Sequence, residues 1–289
     1  MGFKSLAEMI EKAKEHNDNL FEAVLDDDIN ERDVSRESSL EKMQYMWEHM
    51  KASYDHYDAN LKSASDLVGG DSAKVKEYGK GKTLCGEYIN YVMYTSIAVA
   101  EGNACMKCIV ASPTAGSCGV LPGVLIPYAQ MNDVSDEKIC EALYVAAGIG
   151  TVIAHKASIS GAEGGCQAEI GSASGMAAAA LAYLMGQNSE MIMNACALAI
   201  KNMLGLACDP VAGLVEVPCV KRNSAGAVNA AMCADLSMAG VRSAIPPDEV
   251  LEAMAEIGSL MPSSIKETSK AGLAMTETGK KVAACQRTF

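Results

Sequence analysis

The chain has 289 residues, 49% hydrophobic and 21% charged, with 24 Lys+Arg against 36 Asp+Glu and a formal net charge of −12. That apolar content excludes disorder as the dominant state. The acidic balance excludes the basic face needed to bind nucleic acid or to dock on an anionic membrane.

The first 66 residues carry 16 acidic and 8 basic side chains and read as an acidic helical front. Ser5-Leu6-Ala7-Glu8 fits a capping box, and Leu6, Met9, Ile10 and Ala13 follow on one face. Leu40, Met43, Trp47, Met50, Tyr54, Tyr57 and Leu61 recur at spacings of three and four. This seam predicts one long amphipathic helix over 40–61, ended by Gly69-Gly70 and either packed on the core or offered to a partner. Further helices are expected over 83–102, 118–131, 136–155, 172–186, 189–205, 224–240 and 248–258, with Asp136 and Asp248 as N-caps and Pro246-Pro247 breaking the chain before the last. Val-Ile-Thr alternation is scarce, and only 108–111 and 214–217 could form short strands. Aromatics are 5% while Gly reaches 25 and Met 18, which suits closely packed helices with a small-residue core. The expected fold class is all-α, a single domain over 1–289 with the front at 1–66 and a low-charge core and tail at 70–289.

No apolar segment follows Met1–Lys4, and no stretch of eighteen apolar residues exists, so neither a secretory signal nor a membrane span is expected. Eleven cysteines, an odd number, do not read as a disulfide framework. Reduced thiols in a cytoplasmic protein are the expectation.

Four segments between helices carry the candidate chemistry. Ala111-Ser112-Pro113-Thr114-Ala115-Gly116-Ser117-Cys118-Gly119 sets hydroxyls and small residues before an apolar helix. Free amides at such a start suit a carboxylate or phosphate, or a plain structural cap. The Gly-Lys-Ser/Thr ending of a P-loop is missing, so phosphate is disfavoured. The second segment, Ser158 to Ser172, places Cys166 after Gly164-Gly165 and before Gln167. The third is Ala207-Cys208-Asp209-Pro210-Val211-Ala212-Gly213, and the fourth runs from Val217-Pro218-Cys219 through Lys221-Arg222-Asn223 to Gly226. Proline beside Cys208 and Cys219 excludes a helix interior and suggests ordered loops.

These segments resemble the α chain of the bacterial iron–sulfur L-serine dehydratases. The resemblance spans essentially the whole chain and is most specific at 112–119, 161–171 and 208–223. It implies that Cys166, Cys208 and Cys219 hold a 4Fe–4S cluster. It associates the loop of Ser112, Thr114, Ala115 and Gly116 with the substrate carboxylate. The implied activity is deamination of L-serine to pyruvate and ammonia without pyridoxal phosphate, a carbon–nitrogen lyase step of amino-acid degradation and gluconeogenesis. Three thiolates on a four-iron cube leave one iron open, and an open metal position suits Lewis-acid work on a poor leaving group. The cysteine intervals match no common ferredoxin run, so the resemblance and not the spacing carries the cluster.

The family's proposed base is a histidine in a Ser-Ser-Ser-His-Thr-type motif of its β portion, which this sequence lacks. A separate β chain is therefore the expected partner. Within the chain, His155, Lys221, Arg222 and Asn223 are weak catalytic candidates, and Glu163 and Glu169 are possible acceptors around Cys166. Cys285 lies in a polar tail and is either a fourth cluster ligand or part of a disordered end. Cys85, Cys118, Cys140, Cys196 and Cys233 are expected in the core. Cys105-Met106-Lys107-Cys108 lacks a second ligand pair and is expected to be incidental packing. L-Cysteine desulfidase and L-threonine deaminase remain alternatives by the same chemistry, and an iron–sulfur carrier is the alternative from another class.

Overall fold

A computed structural model describes residues 2–286. Among them are thirteen α-helices and no strand. In chain order the helices are α1 (Leu6–Glu15), α2 (Leu20–Arg32), α3 (Arg36–Asp55), α4 (Asp71–Tyr78), α5 (Gly86–Ala104), α6 (Val120–Asn132), α7 (Asp136–Ala157), α8 (Gly161–Gly164), α9 (Ser172–Leu184), α10 (Ser189–Lys201), α11 (Cys219–Met238), α12 (Pro247–Leu260) and α13 (Glu277–Gln286). The all-α fold class expected from the sequence is what the chain adopts.

Short polar side chains start the helices. Ser5, Asn19, Ser35, Ser135 and Asn188 each accept a hydrogen bond from a backbone N–H of the turn they cap. Two expected caps serve other helices instead. Asp136 is the first residue of α7, and its carboxylate accepts from Trp47 Nε1 at 2.6 Å and Lys51 Nζ at 2.6 Å on α3. Asp248 accepts from the backbone N–H groups of Leu6 at 3.0 Å and Ala7 at 2.9 Å, so it caps α1 from across the molecule.

The centre is α9, which packs on α6, α7, α10 and α11. Every residue from Ser172 to Ala182 is buried, and four consecutive alanines let neighbouring backbones come close. Elsewhere glycine sets the spacing. A Cβ at Gly123 on α6 would lie 2.6 Å from Ser96 Cβ on α5. The acidic front joins the same core, since Leu6, Met9, Leu20, Leu25, Trp47 and Met50 are buried in one cluster with α7 and α9. Among the described residues α7 is the one helix long and apolar enough to cross a membrane. It lies instead between α2, α3, α9 and α12.

Several expected boundaries shift. The seam at 40–61 is not one helix: α3 starts at Arg36 and stops at Asp55. Its last members continue in a loop, where Tyr57 Oη donates to the buried Glu101 at 2.8 Å. Glu101 also accepts from the N–H groups of Gly69, Asp71 and Ser72, which anchors that loop to the start of α4. Neither 108–111 nor 214–217 is a strand; an isolated parallel bridge joins Cys208 and Lys266. The tail is not irregular throughout, because α13 carries Cys285. Of the cysteines expected in the core, Cys118, Cys140, Cys196 and Cys233 are buried but Cys85 is exposed. Cys105 is half-buried and Cys108 exposed, so packing accounts for only the first of that pair.

Candidate functional site

Three backbone devices bring Cys166, Cys208 and Cys219 to one place. After the single turn α8, Gly165 has φ +74°, and a Cβ there would stand 2.7 Å from Met261 Sδ and 3.0 Å from Leu206 O. Only glycine fits that turn. Cys166 follows and heads a π-helical segment, Gln167–Gly171. Such segments recur at functional sites because they redirect side chains. Buried Gln167 locks it, donating to Met254 O at 2.9 Å and accepting from Gly205 N at 2.9 Å. Cys208 lies on an extended segment whose N–H donates to Ile265 O at 2.9 Å and whose carbonyl accepts from Glu267 N at 2.8 Å. Cys219 is not in a loop as the flanking proline suggests: it is the first residue of α11, directly after the cis Val217–Pro218 peptide. Proline before a helix costs no internal hydrogen bond, so the motif starts α11 instead of interrupting it.

The three thiols are buried and close enough for each to oppose its neighbours' ionisation. Burial pushes Cys166 up to about 11, against the pull of the Arg222 guanidinium beside it. Burial, then the neighbouring Cys166 and Glu169, pushes Cys219 up to about 12. Burial, with Cys166, Glu169 and Cys219 close by, raises Cys208 further. Ionising all three together is unfavourable without a cation. Among the described residues no group of three or more His, Cys, Asp or Glu is set to hold a single metal ion. Three thiols would suit a group with a separate metal atom for each of them better than a single ion.

The loop at 112–119 closes one side. Thr114 Oγ1 donates to Glu169 Oε1 at 2.8 Å. Asn223 on α11 is buried and fastens the loop: its Nδ2 donates to Gly116 O at 2.8 Å and Cys219 O at 2.9 Å, while its Oδ1 accepts from Gly119 N at 2.8 Å. Ala115 O accepts from Asn103 Nδ2 at 3.2 Å. Ser112 Oγ is buried with no hydrogen-bond partner among the described residues. Burial raises the carboxyl of Glu169 above its ordinary value. Glu163, its counterpart on the other side of Cys166, is exposed and accepts from Ser158 Oγ.

Of the catalytic candidates, Asn223 and Arg222 are at this site. Arg222 also donates to Ala207 O at 2.6 Å and pairs with Asp209 at 3.3 Å. Lys221 turns away and pairs with Asp71 Oδ2 at 2.6 Å. His155 is exposed on the last turn of α7, and its ring lies against Gly2 and not among the thiols. Cys285 is exposed on α13. Sequence reading gave Asp209 no role of its own. Its Oδ2 accepts from Leu273 N at 2.8 Å, so it clamps the tail to the Cys208 segment and to Arg222 at once.

The family profile described as "Serine dehydratase alpha chain" matches residues 4–274, a span that includes every segment above. The chain belongs to the serine dehydratase alpha-chain family. It is 43% identical over 281 residues to the probable L-serine dehydratase, alpha chain, of Bacillus subtilis, covering 97% of this chain and 94% of that one. It is 38% identical over 280 residues to the L-serine dehydratase, alpha chain, of Peptoniphilus asaccharolyticus, covering 95% of each. An L-serine dehydratase of Streptomyces coelicolor is 35% identical over 286 residues, which are 94% of this chain but 61% of that longer protein. The family match ends at Ala274, before α13 and Cys285.

Proposed function

We propose that this chain is the catalytic α chain of an L-serine dehydratase that converts L-serine to pyruvate and ammonia, with Cys166, Cys208 and Cys219 holding a 4Fe–4S cluster. The observation that carries the reading is the meeting of three buried, unpaired thiols beside a loop whose Ser112 Oγ is buried without a partner. The donor set fits the group, since thiolates are the usual ligands of iron–sulfur clusters. When bound, the cluster supplies an iron without a protein ligand, able to act as a Lewis acid toward the substrate hydroxyl.

The chain's own residues do the rest. Ser112, Thr114, Ala115 and Gly116 offer hydroxyls and backbone amides to the substrate carboxylate. Asn223 fixes that loop relative to Cys219, so the carboxylate position and the thiol site move as one unit. Arg222 places a positive charge beside Cys166 and favours its thiolate. Burial around the thiols keeps bulk water away from the reacting bond. A separate β chain completes the enzyme, a reading supported by relatives named as alpha chains. All eleven cysteines are free, in keeping with work in the reducing cytoplasm.

The test is anaerobic reconstitution with iron and sulfide, then a serine-to-pyruvate assay with the β chain present. Cys166→Ala, Cys208→Ala and Cys219→Ala should each abolish both the visible absorbance and the activity. Retained absorbance and turnover in any one variant would remove that cysteine from the ligand set.

A further inference from the structure

Among the described residues three carboxylates are buried, Glu101, Asp209 and Glu216, and each is well supplied with donors; Glu169, beside the thiols, is half-buried and is not. Glu101 receives three backbone N–H groups and the Tyr57 hydroxyl. Glu216 receives the hydroxyls of Ser63 and Ser65. Asp209 receives Arg222 and the N–H of Leu273. Glu169 has one donor, Thr114 Oγ1, and forms no ion pair among the described residues. An ionised carboxylate offers about four acceptor positions. Half-buried and this bare, it has acceptor positions left for a ligand.

Its position is as distinctive as its lack of partners. The two oxygens fit notches left by two glycines. Oε1 stands 2.8 Å from where a Cβ of Gly116 would lie, and Oε2 stands 2.8 Å from the corresponding point at Gly161. The Gly161 point is itself 3.3 Å from Cys208 Sγ. The carboxyl therefore spans the gap between the 112–116 loop and the thiols. A small substrate with its carboxylate on that loop and its hydroxyl toward the thiols must bring its Cα past this carboxyl.

We propose that Glu169 accepts hydrogen bonds from the α-ammonium group of the amino-acid substrate and so determines selection of amino acids over the matching hydroxy acids. The inference rests on the dehydratase reading of the site. An ammonium brings a positive charge and up to three N–H donors to Glu169, whose charged neighbour is Glu267, while Arg222 lies beside Cys166 and pairs with Asp209. A hydroxy acid brings a neutral hydroxyl and leaves the carboxylate unpaired. Glycine at 116 and 161 is required for this arrangement, because a methyl group at either point would displace the carboxyl.

The experiment uses the reconstituted complex of the α chain with its β chain, and compares wild type with Glu169→Gln and Glu169→Asp. Anaerobic calorimetry measures binding of D-serine and of D-glycerate, in which a hydroxyl replaces the ammonium. Steady-state assays give KM and kcat for L-serine, and visible absorbance reports the cluster. Glu169→Gln should weaken D-serine and raise the KM for L-serine by about ten- to a hundredfold, the scale of one charge-assisted hydrogen bond. D-Glycerate should change less than about twofold on the same principle, since it makes no charged contact there. Glu169→Asp keeps the charge and should retain the preference for D-serine over D-glycerate. Equal effects on both ligands, or none, would overturn the proposal. If the Gln variant loses its cluster, the Asp variant decides: loss of discrimination there with full cluster absorbance also overturns it. Wild-type complex that turns over no serine would count against the function itself, whereas serine turnover with an undiscriminating Glu169→Gln counts against this inference alone.

Discussion

Asn223 shows how one side chain can hold a site together. It is buried and spends three hydrogen bonds on Gly116, Gly119 and Cys219, which belong to segments more than a hundred residues apart. Asn223→Ala should leave a buried N–H and a buried carbonyl without partners, at a cost of about 2–4 kcal/mol. Urea unfolding of the cluster-free chain should report that loss as a lower midpoint with an unchanged slope. Sequence reading picked out Asn223 because it follows Cys219 closely, but assigned it to substrate or cluster; its reach to the 112–119 loop lies in the tertiary fold. Cys166 and Cys208 were legible only through their motif, since nothing in their spacing says that they meet. His155 was drawn in by proximity in sequence, and the turn at 158–165 carries it away from the thiols.

At the scale of elements, the caps and apolar periodicity marked the helices whose own residues stabilise them. What they missed was structure held from outside. The loop after α3 reads as helix by its seam, yet Glu101 on α5 organises it from the side. Helices α2 and α4 were absent from the expectation: α2 begins at Leu20 after its cap Asn19 and runs through an acidic stretch, and α4 follows the Gly69-Gly70 break. The ion pair of Lys221 with Asp71 ties α4 to α11 across this same loop. Lys221, then Lys74, holds Asp71 below the ordinary carboxylate range. A carboxylate with a depressed folded-state value stabilises above its unfolded value and loses that contribution as pH falls through the folded one. Lys221 is half exposed, so Lys221→Ala should cost about 0–1 kcal/mol at neutral pH. The difference from wild type should shrink on acidification and vanish once Asp71 is protonated, as followed by thermal melts across the acid range.

For the whole molecule, the composition already spoke of close-packed helices, and the structure gives the reason in α9 and its glycine contacts. Gly123→Ala would drive a methyl group to 2.6 Å from Ser96 Cβ and 3.1 Å from Ser96 Cα, so backbone must move. That overpacking should cost about 1–3 kcal/mol by chemical unfolding, whereas the same change at the open Gly81 should register little of this steric term. The described residues place no histidine among the thiols, and this bears on activity. The isolated chain should reconstitute its absorbance yet turn over serine at well below the rate of the complex with its β chain. Full turnover by the chain alone would remove the need for a partner.

The segment that borders Cys208 comes late in the chain. Ile265, Glu267 and Leu273 supply the partners of Cys208 and Asp209, and all lie downstream of the three cysteines. Chains fold broadly from the N-terminal side as they are made. During synthesis, Cys166, Cys208 and Cys219 thus emerge from the ribosome before the strap that fixes the Cys208 segment exists. The Cys208 segment can therefore take up its native hydrogen bonds only after residues 265–273 have been made.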